Sequence, residues 1–282
     1  MALALRRVTP MLDEGSVMRA SCRISIVALC VLAVRAPQTT VIAQSRPAQG
    51  SPPNAGAQAA PPPGTTRPGV PDPAPRTIAP YFSPAGRVPR APDVDGFLQR
   101  WLLLEPITKP NRTNTVFTDS YVRNAFATEY FPGQMTVVPR NGDTVTAEGQ
   151  TLAWHAVDSS AFNVKLFRFA YGLNKPTYGV VFWAVTLVNS PRELKNVRMA
   201  VGSNSASMWW LNGKEAVLLS GDRRMVMDDG VSPRLTLNKG RNVIRGAVIN
   251  GPGLSDFCVR FLDEHGMPIT ALTLTLDQSR EQ

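Results

Sequence analysis

Cysteine and histidine are nearly missing from this chain, with three Cys and two His in 282 residues. With His155 and His265 as the only histidines, zinc-ribbon and zinc-finger readings fall away, and no motif calls for a cofactor in their place. Charged residues are sparse, at 18%, which excludes a coiled coil or a highly charged disordered chain. Long apolar runs are lacking too. Ile24 to Val34 is eleven residues broken only by Ser25, whereas a membrane-spanning helix needs about 20. A strong excess of one charge is also absent from most of the chain. Residues 1–93 carry 10 Lys and Arg against 4 Asp and Glu, while residues 94–282 carry 20 against 17. The formal +9 therefore belongs mainly to the N-terminal third, and the balanced remainder argues against a nucleic-acid surface.

What is present first is an export signal. Met18 to Arg23 is a short basic segment, Ile24 to Val34 is the apolar run, and Val41-Ile42-Ala43 supplies small residues before Gln44. Residues 1–43 are thus expected to be a signal region, with translation starting at Met18 and the mature chain beginning near Gln44. An uncut N-terminal anchor is the alternative. Cys22 and Cys30 leave with the signal, and the remaining Cys258 has no intrachain partner. Residues 44–93 hold 14 of the 25 prolines and few large apolar side chains, so they are expected to form a disordered, semi-stiff linker. Tyr81 and Phe82 are its only aromatics, and the segment around them is the part suited to dock on a folded domain.

From Val94 the pattern changes to short strands and turns. Phe97 to Leu104 reads as a strand stopped by Pro106. Thr118 to Tyr130 reads as the one helix, with Thr118 or Asp119 as its cap. Thr151–Val157, Tyr178–Val188, Val197–Val201, Leu235–Leu237, Asn242–Asn250, Phe257–Leu262 and Ile269–Leu276 read as strands separated by Gly- and Asn-containing turns. The near-continuous apolarity of Tyr178–Val188 predicts burial on both faces. Asn212-Gly213, between Ser207–Leu211 and Ala216–Leu219, suits a type I′ hairpin because both central residues must take positive φ. The expected fold is mostly β, an antiparallel β-sandwich of jelly-roll type over residues 94–282 with one short helix near its start.

Trp-Leu-Asn-Gly-Lys at 210–214, the Val231–Val243 segment and Asp-Phe-Cys-Val-Arg-Phe-Leu-Asp at 256–263 resemble galactose-binding-like jelly-roll modules. These are similar to the sugar-binding domains of family 2 glycoside hydrolases. Trp101 to Ile107 looks like the opening strand of such modules, although Glu105 and Ile107 stand where the family more often has Gly and Phe. A chain with signal, proline spacer and one module also resembles bacterial proteins that carry the label acetylxylan esterase. The resemblance implies a fold and, through it, contact with carbohydrate; jelly rolls host many functions.

The residues themselves offer little catalysis. No Gly-x-Ser-x-Gly elbow occurs, and Gly202–Ala206 has Asn204 where the serine would stand. Ser203, His155 and Asp158 can be drawn as a triad, and His265 sits in a turn. Trp209 and Trp210, as neighbours on a strand, must point to opposite faces. The outer ring is then either a platform for a sugar or is covered by the 118–130 helix or a loop. Trp209, Trp210 and Asn212 are the carbohydrate-binding candidates; Trp101, Trp154 and Trp183 are expected in the core. Asp228-Asp229 before Gly230 reads as a tight turn, with a calcium site as the alternative. Arg223-Arg224 and Lys239-Gly240-Arg241 are basic spots explained by solvated loops. The reading that follows is an exported, non-catalytic carbohydrate-binding or adhesion-type module with a polysaccharide or glycan partner, no nucleic acid and no membrane span in the mature chain. A carbohydrate esterase, or a structural module docking onto another exported protein, are the alternatives.

Overall fold

The computed structural model describes residues 76–111 and 113–276. The signal region, its expected cleavage point and the linker up to residue 75 lie outside the described residues. In chain order the elements are β1 (Phe82–Pro84), β2 (Arg100–Leu104), β3 (Ile107–Thr108), α1 (Asp119–Ala127), β4 (Thr144–Ala147), β5 (Gln150–Ser159), α2 (Leu166–Gly172), β6 (Val180–Ser190), β7 (Leu194–Ser203), β8 (Ala206–Leu211), β9 (Lys214–Leu219), β10 (Gly230–Val231), β11 (Leu235–Leu237), β12 (Gly240–Asn250), β13 (Phe257–Leu262) and β14 (Thr273–Thr275). All pairings are antiparallel. The larger sheet runs β1-β5-β2-β6-β12-β8-β9, with β3 and β14 also on β6 and β4 also on β5. The smaller sheet centres on β7, flanked by β10 and β11 on one path and by β13. This is a β-sandwich.

Two apolar layers share the larger sheet. Between the sheets lie Trp101, Trp209, Phe182, Phe257 and Phe261. On the sheet's other side, Phe126, Phe131 and Phe117 pack over Trp154, Trp183 and Trp210. The two-residue alternation of a strand does the sorting. On β6, Phe182 and Ala184 enter the first layer, and Val181, Trp183 and Val185 enter the second. The double burial expected for this strand follows from there being apolar material on both sides.

α1 begins one residue after its expected cap. The Thr118 hydroxyl accepts from the Tyr121 amide, and Val122, Ala125 and Phe126 face the sheet. A second helix, α2, corrects the expectation of one. Leu166, Phe169 and Ala170 are its buried stripe, and no side chain caps its start. The fold also takes in residues ahead of Val94. β1 pairs with Phe82↔Ser159 and Pro84↔Val157 on β5, and Phe82 is in the inter-sheet core. Further along, Arg90 and Leu274 exchange both backbone hydrogen bonds, at 3.0 and 2.6 Å. Arg100 ties the same place together, donating to the Val88 carbonyl at 2.5 Å and holding Asp158 through two nitrogens at 2.8 and 2.9 Å.

Candidate functional site

The hairpin forms as its sequence suggests, with Asn212 at φ 50° and Gly213 at φ 79° between β8 and β9. Its two tryptophans do split between the faces, but neither is a solvent-facing platform. Trp209 is 0% exposed, packs edge-on against Trp101 and Phe257, and donates its indole N–H to Ser207 Oγ at 3.0 Å. Its ring lies over Gly246, where a Cβ would come within 2.2 Å. Trp210 is 6% exposed, stacked on Trp183 at 5.8 Å and capped edge-on by Phe126 of α1. The covering-helix alternative is the arrangement found, because α1 has an apolar stripe that needs a partner. Only the rim of Trp210 reaches a small apolar cleft of about 380 Å³ beside Phe126, Met135 and Met208. Asn212 is a fastener: its amide nitrogen donates to Asn242 Oδ1 and its side-chain oxygen accepts from the Val243 amide.

The imagined triad is dispersed. Ser203 is fully buried and donates to the Ser205 carbonyl at 2.7 Å. Asp158 is held by Arg100. His155 Nε2 lies 3.3 Å from Glu105 Oε1, and Lys175 Nζ lies 2.9 Å from the other oxygen of the same carboxylate. Burial pulls the Glu105 carboxyl upward, but Lys175, the Ala153 amide and His155 outweigh it and hold it below its ordinary range. His265 is in an exposed turn organised by Asp263, which accepts from the His265 and Met267 amides. Asp228 and Asp229 are both engaged by guanidinium groups. Arg260 grips Asp228 through Nε at 2.9 Å and through a second nitrogen, and Arg223 holds Asp229. A cation at this turn would have to displace both arginines. Among the described residues no group of three His, Cys, Asp or Glu side chains is placed to hold a metal. Among them, too, no helix is long and apolar enough to cross a membrane.

Solvent-facing aromatic residues lie elsewhere, on α2 and in the loop after it. Its inner stripe is Leu166, Phe169 and Ala170, so Phe167, Arg168 and Tyr171 point outward. The Phe167 and Tyr171 rings are nearly parallel, 8° apart with centroids at 6.2 Å. Tyr178, from the following loop, approaches Phe167 at 5.9 Å. Tyr171 is 42% and Tyr178 is 54% exposed. Arginines border this face. The Arg76 guanidinium lies 4.7 Å from the Tyr171 ring centre, and that of Arg168 lies 4.9 Å from Tyr81. The helix is fixed from behind by the core and from the side by Thr77–Ile78, whose backbone passes so close to Gly172 that a Cβ there would sit at 2.6 Å.

Ile78 also lines a cleft of about 620 Å³ whose polar wall is Arg87, Arg140, Asn141 and His155. Along this edge of β5, β4 covers residues 150–153 and β1 covers 157–159, leaving a step between them. Asn141 closes part of the step by accepting from the Ala156 amide at 2.8 Å. The sequence reading missed this whole face. The signal available was Phe167 and Tyr171 at i and i+4, out of phase with Leu166, Phe169 and Ala170.

No protein-family model matches the chain, and no curated protein matches it. Solved structures that align with the chain include one described as "PA14 sugar-binding domain from RTX adhesin", at a TM-score of 0.37 and 9% identity over 61% of this chain and 94% of that one. Another is the PA14 domain of the MpAFP antifreeze protein, at 0.35 and 9% over 62% and 89%. A β-glucosidase from Kluyveromyces marxianus in complex with glucose aligns at 0.20 and 15% over 30% of this chain and 10% of its own. None of these three is described as a galactose-binding-like module of family 2 glycoside hydrolases or as an acetylxylan esterase.

Proposed function

We propose that the protein is an exported carbohydrate-binding, adhesion-type module, and that it holds sugar rings on the outer face of α2. The observation that carries this reading is the pair of exposed tyrosines, Tyr171 on a helix anchored in the core and Tyr178 in the loop after it, gathered around the half-buried Phe167 ring. The C–H face of a pyranose is apolar and packs well on an aromatic ring, while the phenol oxygens and the neighbouring arginines suit its hydroxyls. Rigid support matters as much as exposure, because a platform that is ordered beforehand loses little entropy when it binds. The dispersal of Ser203, His155 and Asp158 supports a binding role over esterase chemistry.

Retention on a panel of immobilised polysaccharides tests the proposal. Tyr171→Ala and Tyr178→Ala should each weaken retention about tenfold or more at an unchanged denaturant midpoint, a contact loss of roughly 1.4 kcal/mol. Wild-type protein that binds no polysaccharide would leave the docking alternative in its place.

A further inference from the structure

We propose that the polysaccharide is anionic, lying across the α2 aromatics and reaching into the neighbouring cleft, where its carboxylate or sulfate groups meet Arg87 and Arg140. This rests on the carbohydrate-binding reading above and adds the chemical class of the ligand. The two features are contiguous through one strip of chain. Ile78 lines the cleft, and the same Thr77–Ile78 backbone runs against Gly172 at the end of α2.

The charge along this strip is of one sign. Arg76 and Arg168 sit over aromatic rings, Arg87 and Arg140 line the cleft, and none of the four has a carboxylate ion-pair partner among the described residues. The carboxylates nearby are already occupied. Glu105 is shared by Lys175 and His155, Asp158 is held by Arg100, and Asp143 accepts from the Arg140 backbone amide. The basic residues elsewhere on the fold include pairs that cancel, such as Arg260 with Asp228 and Arg223 with Asp229. Arg76 also donates to Asn174 Oδ1, and a neutral glycan would offer these guanidinium groups hydroxyl oxygens but leave their charge unmatched. An anionic one supplies acceptors whose planar or tetrahedral oxygens match their forked donors.

Full-length protein is tested on three immobilised polymers: polygalacturonate, the same polymer fully methyl-esterified, and a sulfated galactan. Binding to polygalacturonate at least tenfold tighter than to its neutral ester, and weakening with salt, supports the proposal. Preference for the sulfated galactan over both others also supports it and names sulfate as the group recognised. The Arg87→Gln, Arg140→Gln double variant should lose about tenfold of the acidic binding and none of the neutral binding, as removing charged hydrogen bonds does. The Lys239→Gln, Arg241→Gln control should lose neither. Equal binding to the acidic and neutral polymers would overturn this inference and leave the carbohydrate-binding reading standing. No binding to any polymer would overturn both. Equal losses in the double variant and the control would mean diffuse charge attraction, and would overturn the assignment to the cleft.

Discussion

A single glycine decides how Trp209 sits. Gly246 is its cross-strand partner, and the ring occupies the space where any other residue would carry its Cβ. Trp210, one residue on, is enclosed by Trp183 and Phe126 instead. Both rings are interior, so Trp209→Ala and Trp210→Ala should each cost about 3–5 kcal/mol, as large-to-small core changes do. Denaturant midpoints measure this; a Trp210→Ala protein as stable as wild type would mean that α1 does not cover the ring. Glu105 sets a pH dependence. Its folded pKa lies below the ordinary 4.5, so the unfolded chain takes up its proton first as acid is added. Its contribution is fully present above about pH 4.5, and is lost as pH falls through the folded value. Glu105→Gln should therefore flatten the fall in stability below that pH, followed by acid titration of the unfolding midpoint. Asp256 works in the opposite sense: burial holds its carboxyl above the ordinary range, so it protonates in the folded state before the unfolded one.

At the scale of elements, the β8–β9 hairpin shows how much a local signal can carry. Gly213 at φ 79° has nothing near its missing Cβ, so a substitution there meets only backbone strain. Gly213→Val should cost about 1–3 kcal/mol because a β-branched residue resists positive φ. Gly213→Asn should cost much less, since asparagine enters that region readily; similar midpoints for the two variants would refute a turn-strain account. This turn, β13 and the two-sided burial of β6 were legible because each depends on neighbouring residues and a short period. α2 was not, since seven apolar-rich residues without a side-chain cap look as much like a strand as a helix. The face proposed for binding was least legible. Whether an aromatic ring is covered depends on what another element lays over it, and α1 covers Trp210 while no described element buries Tyr171 or Tyr178. Trp209 and Trp210 drew attention by residue type, although type does not encode exposure.

Across the whole molecule, the larger sheet is the shared wall of both apolar layers, with β6 and β12 paired over eleven residues at its centre. The smaller sheet closes the inner layer and carries Cys258, opposite Gly202 on β7. The loop after β9 passes so close above that a Cβ on Gly202 would meet the Val226 carbonyl at 2.1 Å. Burial pushes the Cys258 thiol up to about 12. Thiolate is the reactive form, so alkylation should be negligible in the folded protein and should rise with global unfolding. Mass spectrometry of alkylated protein across a denaturant series, set beside circular dichroism, checks this; labelling well before the main transition would show that the loop opens by itself.

The Arg90–Leu274 bridge has a mechanical meaning. Tension applied ahead of β1 and beyond β14 would not load the eleven-residue β6–β12 ladder first. It would reach the strip at Thr77–Ile78, then β1, and then the pair of hydrogen bonds that fastens the entering chain to the departing strand. These seams are short, three residue pairs for β1 on β5 and three for β14 on β6, against eleven in the central ladder. Under a pull, such a module would give slack from its border before its interior was disturbed. The strip that yields first also carries Arg76 over Tyr171, so a pull there would disturb the outer face of α2.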